Sequence, residues 1–162
     1  MSDQTSLLVK ILVAVGLMAI TAAMHAAGFS VLLRAILRSH ALDKSGFCHT
    51  TLWVMGLTCW LILIHLAEIT VWGLFYFWQG CLSNAQDALY FSSVTYTTLG
   101  YGDIVLPRLW RLFAPLEALT GILMCGLSTG LFFALVSRWI SNWMKRQIAS
   151  EPHAAAPRTN KT

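Results

Sequence analysis

Gly100 and Gly102 flank a single tyrosine in the run Thr97-Thr98-Leu99-Gly100-Tyr101-Gly102-Asp103. Glycine takes positive φ as readily as negative, so this run permits left-handed backbone at alternate positions. Successive carbonyl oxygens then turn to one side, which ordinary L-residues in an extended strand do not allow. One chain supplies one column of oxygens, and four chains about an axis would supply rings able to replace the water shell of a dehydrated cation. Backbone that is neither helical nor paired is tolerated at membrane depth only where it is buried in protein or lines a polar path. The chemistry is therefore ion coordination, and it requires several copies of the chain.

A second set of groups is unusual for its place rather than its spacing. His65 and Glu68 are three residues apart in an apolar run, hence on one face of a helix, and Glu117 enters another apolar run at what should be a comparable depth. An ionisable residue inside a membrane is a functional hypothesis by default. One reading is a proton-sensitive cluster whose histidine changes charge. The favoured reading is a permanent hydrogen-bond brace that reaches groups such as Tyr96 or Thr95. A metal reading needs a further converging ligand, for which Glu117 is the candidate. His25, alone in the first apolar run, is expected to be a satisfied side chain or to face the interface.

The segment Thr95-Tyr96-Thr97-Thr98-Leu99-Gly100-Tyr101-Gly102-Asp103 resembles the signature sequence of potassium channels. The resemblance implies that the carbonyls of Thr98, Leu99, Gly100 and Tyr101, with the Thr98 hydroxyl, form the K⁺ sites, and that Gly102 shapes the outer mouth. Leu99, standing where valine is usual, and Tyr101 would point away from the ion into surrounding protein. Asp103 resembles an aspartate that braces the filter from behind. Tyr90 is its expected partner, Thr97 a further support, and a solvated charge at the mouth the other reading. In this family an inner-helix glycine acts as a hinge; Gly121 lies nearest by spacing and Gly126 second, with close helix packing through Gly126-x-x-x-Gly130 as the competing role. The likeness covers roughly Leu52 to Trp143.

Around the filter, the elements that must position it are helices. Three runs are long and apolar enough to span, from about Ile11 to Leu33, Leu52 to Trp78 and Leu112 to Ile140; a span needs about 20 residues. Between the last two lies Asn84–Thr97, with Ser83 as the expected N-cap, Gln86 three residues on, and Asp87 near the positive end of the dipole. Its 14 residues would reach only about 21 Å, which suits a re-entrant helix. Pro115 must lie near a helix start or at a kink. The composition agrees: 57% hydrophobic and 11% charged, against roughly 45–50% and about 25% in soluble proteins. The expected fold class is an all-α membrane protein, three transmembrane helices plus a re-entrant pore helix and filter, assembled as a tetramer around a central pore.

The expected organisation is an N-terminal transmembrane helix and cytoplasmic loop over 1–48, a pore domain over 49–146 and a disordered cytoplasmic tail over 147–162. Within the pore domain lie an outer helix at 52–78, a pore helix at 84–97, the filter at 98–102 and an inner helix at 112–143. Arg34, Arg38 and Lys44 between the first two spans, and Arg138, Lys145, Arg146, Arg158 and Lys161 at or after the third, place those ends inside by the positive-inside rule. The N-terminus is then outside and the C-terminus cytoplasmic, in a multi-pass chain of the cell membrane, with a bacterial inner membrane as the expectation. Trp72, Trp78 and Trp110 are expected at one interface and Trp53, Trp139 and Trp143 at the other. A cleaved signal peptide ending near Ala22–Ala27 fits poorly, because the run is long and Asp3 weakens its basic start. Arg34 and Arg38 alone do not make a voltage sensor, which needs several arginines within a span. A ligand-binding domain is not expected in the roughly twenty residues after the inner helix.

Cys48, Cys59, Cys81 and Cys125 are dispersed, without a CxxC pair, and read as small apolar residues, with Cys81 as a lone exposed thiol. The basic residues are not interleaved with aromatics, so nucleic acid is not an expected partner. With neither a hydrolytic constellation nor a phosphate loop, an enzyme is not expected. The implied function is a potassium-selective channel subunit that conducts K⁺ passively. It would need no cofactor beyond K⁺ in the filter, with membrane lipid and its own copies as partners. The alternatives are a weakly selective cation channel, and a non-conducting regulatory or scaffold subunit that co-assembles with another channel.

Overall fold

The computed structural model describes residues 2–39 and 47–150. Four α-helices carry the fold: α1 Ser2–Ser39, α2 Phe47–Trp78, α3 Ala85–Tyr96 and α4 Phe113–Ser150, with a short 3-10 turn at Arg108–Trp110. No strand occurs among the described residues. The segments Leu7–Arg38, Thr51–Trp78 and Arg108–Lys145 are long and apolar enough to cross a membrane. α3, at 12 residues, rises about 18 Å and stops short of a span.

Packing follows from which side chains leave lipid. Near the ends adjoining the Thr97–Asp103 loop, expected from sequence to be the filter and called the filter loop, Trp72 and Tyr76 of α2, Ala88 and Phe91 of α3, Phe113 of α4 and Ala14 and Leu17 of α1 form one core. At the opposite end Ile36, Leu57, Leu61, Ile64 and Leu135 form another, from α1, α2 and α4 alone. The N-terminal half of α1 therefore lies on the same side as the filter loop, where Lys10 Nζ sits 5.8 Å from the centre of the Trp110 ring. α1 joins the other helices closely: a Cβ on Gly28 would stand 2.5 Å from Ile64 Cδ1, and Trp60 Nε1 donates to the Gly28 carbonyl at 3.1 Å. Large apolar side chains such as Leu12, Leu63, Ile122 and Phe133 remain exposed on the outside of this single chain. That is the composition of a surface facing lipid or further subunits.

Several local expectations need correction. The N-cap of α3 is Asn84 rather than Ser83. Asn84 Oδ1 accepts from the Asp87 N–H at 2.7 Å while its Nδ2 donates to Asp87 Oδ2 at 2.8 Å, a reciprocal cap set one residue later. α3 then spans 85–96, with Thr97 as its C-cap. The inner helix continues to Ser150, so residues 147–150, assigned to a disordered tail, are helical; residues 151–162 lie outside those described. Pro115 falls in the first turn of α4, where its missing N–H has no intrahelical partner to lose. Trp72, expected at an interface, is fully buried against Tyr76, and its indole N–H finds no partner among the described residues. Cys81, expected to be exposed, is buried in the same core, and burial pushes its thiol pKa up. Cys59 and Cys125 are unpaired.

Candidate ion-coordination site and its supports

The filter loop begins where α3 ends. Thr98 N–H bonds the Thr95 carbonyl at 2.9 Å, and the N–H groups of Leu99 and Gly100 both reach the Val94 carbonyl, at 3.0 and 3.3 Å. The Thr97 hydroxyl closes the last turn onto the Ser93 carbonyl at 2.6 Å. These links hold the loop's start to the helix end.

Positive φ then occurs at every second residue: Thr98 at 61°, Gly100 at 57° and Gly102 at 77°. Thr98 is the one non-glycine of the described residues with positive φ, and a β-branched residue there is strained. This alternation is the backbone that turns successive carbonyls to one side. Among the described residues, no hydrogen bond ends on the carbonyls of Thr98, Leu99, Gly100 or Tyr101, so all four oxygens are available to a ligand. Leu99 is 60% and Tyr101 68% exposed; one chain alone supplies no wall behind them. Beside the loop runs a groove of about 330 Å³ lined by Tyr90, Val94, Thr98, Gly102, Val105 and Pro115.

Beyond Gly102 the chain is tied back to α3. The Tyr90 hydroxyl donates to Asp103 Oδ2 at 2.6 Å, and this bond holds the Asp103 carboxyl below the usual carboxylate range. Of the two readings of Asp103, a partner of Tyr90 or a solvated charge at the mouth, the structure shows the direct contact.

Two buried polar hubs fix α3 from behind. In the first, Glu117 of α4 is fully buried; its Oε1 lies 2.5 Å from Ser92 Oγ and its Oε2 accepts from the Tyr76 hydroxyl at 2.7 Å. Ser92 Oγ also lies 2.8 Å from the Ile69 carbonyl, so the middle of α3 is pinned to α2 and α4 together. In the second, the Tyr96 hydroxyl hydrogen bonds Glu68 Oε2 and lies 3.0 Å from His65 Nδ1. His65 Nε2 is 3.0 Å from Ser128 Oγ. Glu117 thus does not join His65 and Glu68. The residue that does is His25 of α1, whose Nδ1 is 2.7 Å from Glu68 Oε1 and which is 2% exposed. The sequence marks His25 as ionisable in an apolar run but assigns it no partner; Ser92, Tyr76 and Ser128 give no signal, being ordinary residues of apolar helices.

His25, His65 and Glu68 each offer a ligand atom, and these atoms lie within 4.8 Å of one another. His25, not Glu117, is the third donor the metal reading lacked. The spacing argues against a zinc-like ion, however. Tetrahedral ligands with bonds of about 2.0–2.1 Å sit roughly 3.3 Å apart, whereas His25 Nδ1 and Glu68 Oε1 are at 2.7 Å, a hydrogen-bond distance.

Gly121 and Gly126 differ in kind. A Cβ on Gly121 would fall 2.0 Å from the Tyr96 carbonyl oxygen, whereas one on Gly126 meets nothing within 4 Å. Gly121 is thus the point where α4 lies against the end of the pore helix, and α4 runs unbroken through both positions.

A helix too short to span and a loop of free carbonyls, held between two spanning helices, form an arrangement able to coordinate a cation. Residues 63–138, just under half of the chain, match the family model described as "Ion channel", a match consistent with the potassium-channel pore-domain family. Neither the curated proteins nor the solved structures compared with the chain give a match.

Proposed function

We propose that four copies of this chain assemble around a central axis and conduct K⁺ passively and selectively across a cell membrane. The observation that carries this reading is the alternation of positive φ at Thr98, Gly100 and Gly102, immediately after a helix too short to span. Four such loops would stack their carbonyls into rings, and an ion entering them would exchange its water shell for protein oxygens. The Thr98 hydroxyl would add a ring at the inner end. The C-terminal ends of four α3 helices would face that end too, adding the negative pole of their dipoles for a cation. Neighbouring subunits would cover Leu99 and Tyr101, which a single chain leaves bare. By the positive-inside rule the basic residues favour an outside N-terminus and filter mouth and a cytoplasmic C-terminus; α1's N-terminal half lying on the side of the filter loop is compatible with that arrangement.

The test is K⁺ and Na⁺ flux through the purified protein in liposomes, with Gly100→Asp as the comparison. K⁺ flux well above Na⁺ flux, lost or made unselective by Gly100→Asp, is the expected result. Equal fluxes would replace the reading with a weakly selective cation channel. Silence from a verified tetramer would favour a regulatory subunit.

A further inference from the structure

The second polar hub is a closed ring. Around it run His25 Nδ1 to Glu68 Oε1 at 2.7 Å, Glu68 Oε2 to the Tyr96 hydroxyl, that hydroxyl to His65 Nδ1 at 3.0 Å, His65 Nε2 to Ser128 Oγ at 3.0 Å, and Ser128 Oγ back to His25 Nε2 at 3.3 Å. Each of the four helices contributes: α1 through His25, α2 through His65 and Glu68, α3 through Tyr96 and α4 through Ser128. All but His65 are buried, and His65 is only 19% exposed.

Five links need five protons, one in each. With Glu68 ionised and both imidazoles neutral, the five groups carry four: one each on the Tyr96 and Ser128 hydroxyls, and one N–H on each imidazole. Whatever the tautomers, one link would then set two lone pairs against each other. A fifth proton closes the circuit. With Glu68 as the acid, Glu68 donates to Tyr96, Tyr96 to His65 Nδ1, His65 Nε2 to Ser128, Ser128 to His25 Nε2, and His25 Nδ1 to Glu68. The same proton makes the cluster electrically neutral, which a site out of water requires. The other titratable groups facing it are Cys125 and Glu117, both on α4. Neither is a cation, and the ion-pair partners of Glu68 among the described residues are the two imidazoles.

We propose that His25, Glu68, Tyr96, His65 and Ser128 form a binding site for one proton, whose occupancy locks the N-terminal helix α1 to the end of the pore helix. Tyr96 lies two residues before Thr98, so the proton supports the backbone from which the filter springs. Proton binding involves the ring alone and holds whichever ion the pore passes. The ring residues act as positioning groups, since none touches the filter oxygens. Unfolding frees the histidines to empty above their ordinary value of about 6.5, so above that pH the folded chain holds one proton more than the unfolded chain. Stability then falls as pH rises, until the ring has released its proton.

The experiment compares the purified full-length chain with Glu68→Gln, measuring protons released on unfolding at about pH 8 and the unfolding midpoint across the alkaline range. The carboxamide introduced by Glu68→Gln supplies an N–H in place of the fifth proton, leaving the ring closed and neutral at any pH. Wild type should release one proton more per chain than Glu68→Gln, and its midpoint should fall by several degrees while the variant's stays level. Equal release and equal slopes would overturn the proposal. So would stoichiometric zinc in the purified wild type that is absent from Glu68→Gln, which would make the site a metal centre. Should Glu68→Gln not fold, histidine ¹⁵N resonances of wild type decide: His25 and His65 are expected to change together in one alkaline step, and separate steps or no step would sink the idea.

Discussion

Tyr90 and Asp103 meet across 2.6 Å, hydroxyl to carboxylate, so the middle of the pore helix holds the chain just after the last filter glycine. The loop is thereby fixed at both ends to one helix, through Val94 at its start and Tyr90 at its finish. Since the bond lowers the Asp103 pKa, its contribution is fully present above the unfolded aspartate range of about 3.9. It is lost as pH falls through the lower folded value. Tyr90→Phe should therefore lower the unfolding midpoint at neutral pH, and the gap from wild type should close under strong acidification. Unfolding curves of the two proteins over a pH series check this; a gap unchanged at the acid end would show that the bond does not depend on the charge of Asp103.

Gly121 sits where any side chain would strike the Tyr96 carbonyl. Gly121→Ala must push α4 off the end of the pore helix, and overpacking of this kind costs about 1–3 kcal/mol. Gly126→Ala meets no atom of its own chain and gains helix propensity, by up to about 1 kcal/mol, so within the subunit it should be neutral or stabilising. Thermal unfolding of the two variants side by side gives the comparison. Equal destabilisation would mean that contacts between subunits, rather than Tyr96, govern both glycines.

The features legible in the sequence are local ones. Helix length and the paired glycines lie within short stretches whose spacing fixes geometry, whereas the Tyr90–Asp103 contact is implied by the family resemblance, beside the reading of a solvated charge. His25 cannot be placed this way, because its partner Glu68 is 43 residues distant and the contact depends on how α1 packs. A membrane helix is apolar on its lipid face and on its packed face alike, so periodicity does not announce which side is buried. Trp72 misleads for the same reason: tryptophan is common at interfaces, yet this one fills the core. Depth alone groups Glu117 with His65, and depth does not specify the facing side. At the start of α3, Ser83 and Asn84 are both competent caps, and the sequence offers no means of choosing between neighbours.

Glu117 depends on two donors, Tyr76 and Ser92. Tyr76→Phe keeps the ring and its contacts with Trp72 and Phe91 but leaves a buried carboxyl oxygen without its partner. The expected loss is about 1–3 kcal/mol. Ser92→Ala should cost a similar amount, and the double variant less than the sum of the two, because both donors serve one carboxyl. A double-variant cycle by chemical or thermal unfolding measures the coupling. Strict additivity would show that Ser92 acts through the Ile69 carbonyl instead.

Thr98 combines a strained backbone, φ 61°, with the hydroxyl expected at the inner end of the filter. The two roles separate on substitution. Thr98→Gly removes the side chain that disfavours left-handed backbone, a relief of about 1–2 kcal/mol, offset in part by glycine's greater freedom in the unfolded chain. In the proposed tetramer the same change would delete an oxygen from each subunit's column. The prediction is a protein at least as stable as wild type that discriminates less between K⁺ and Na⁺, whereas Thr98→Ser, which keeps the oxygen, should retain the selectivity. Reversal potentials in bilayers, taken with unfolding midpoints of the same preparations, test both halves. Unchanged selectivity in Thr98→Gly would mean that the backbone carbonyls alone set the preference and that the Thr98 hydroxyl is not an ion ligand.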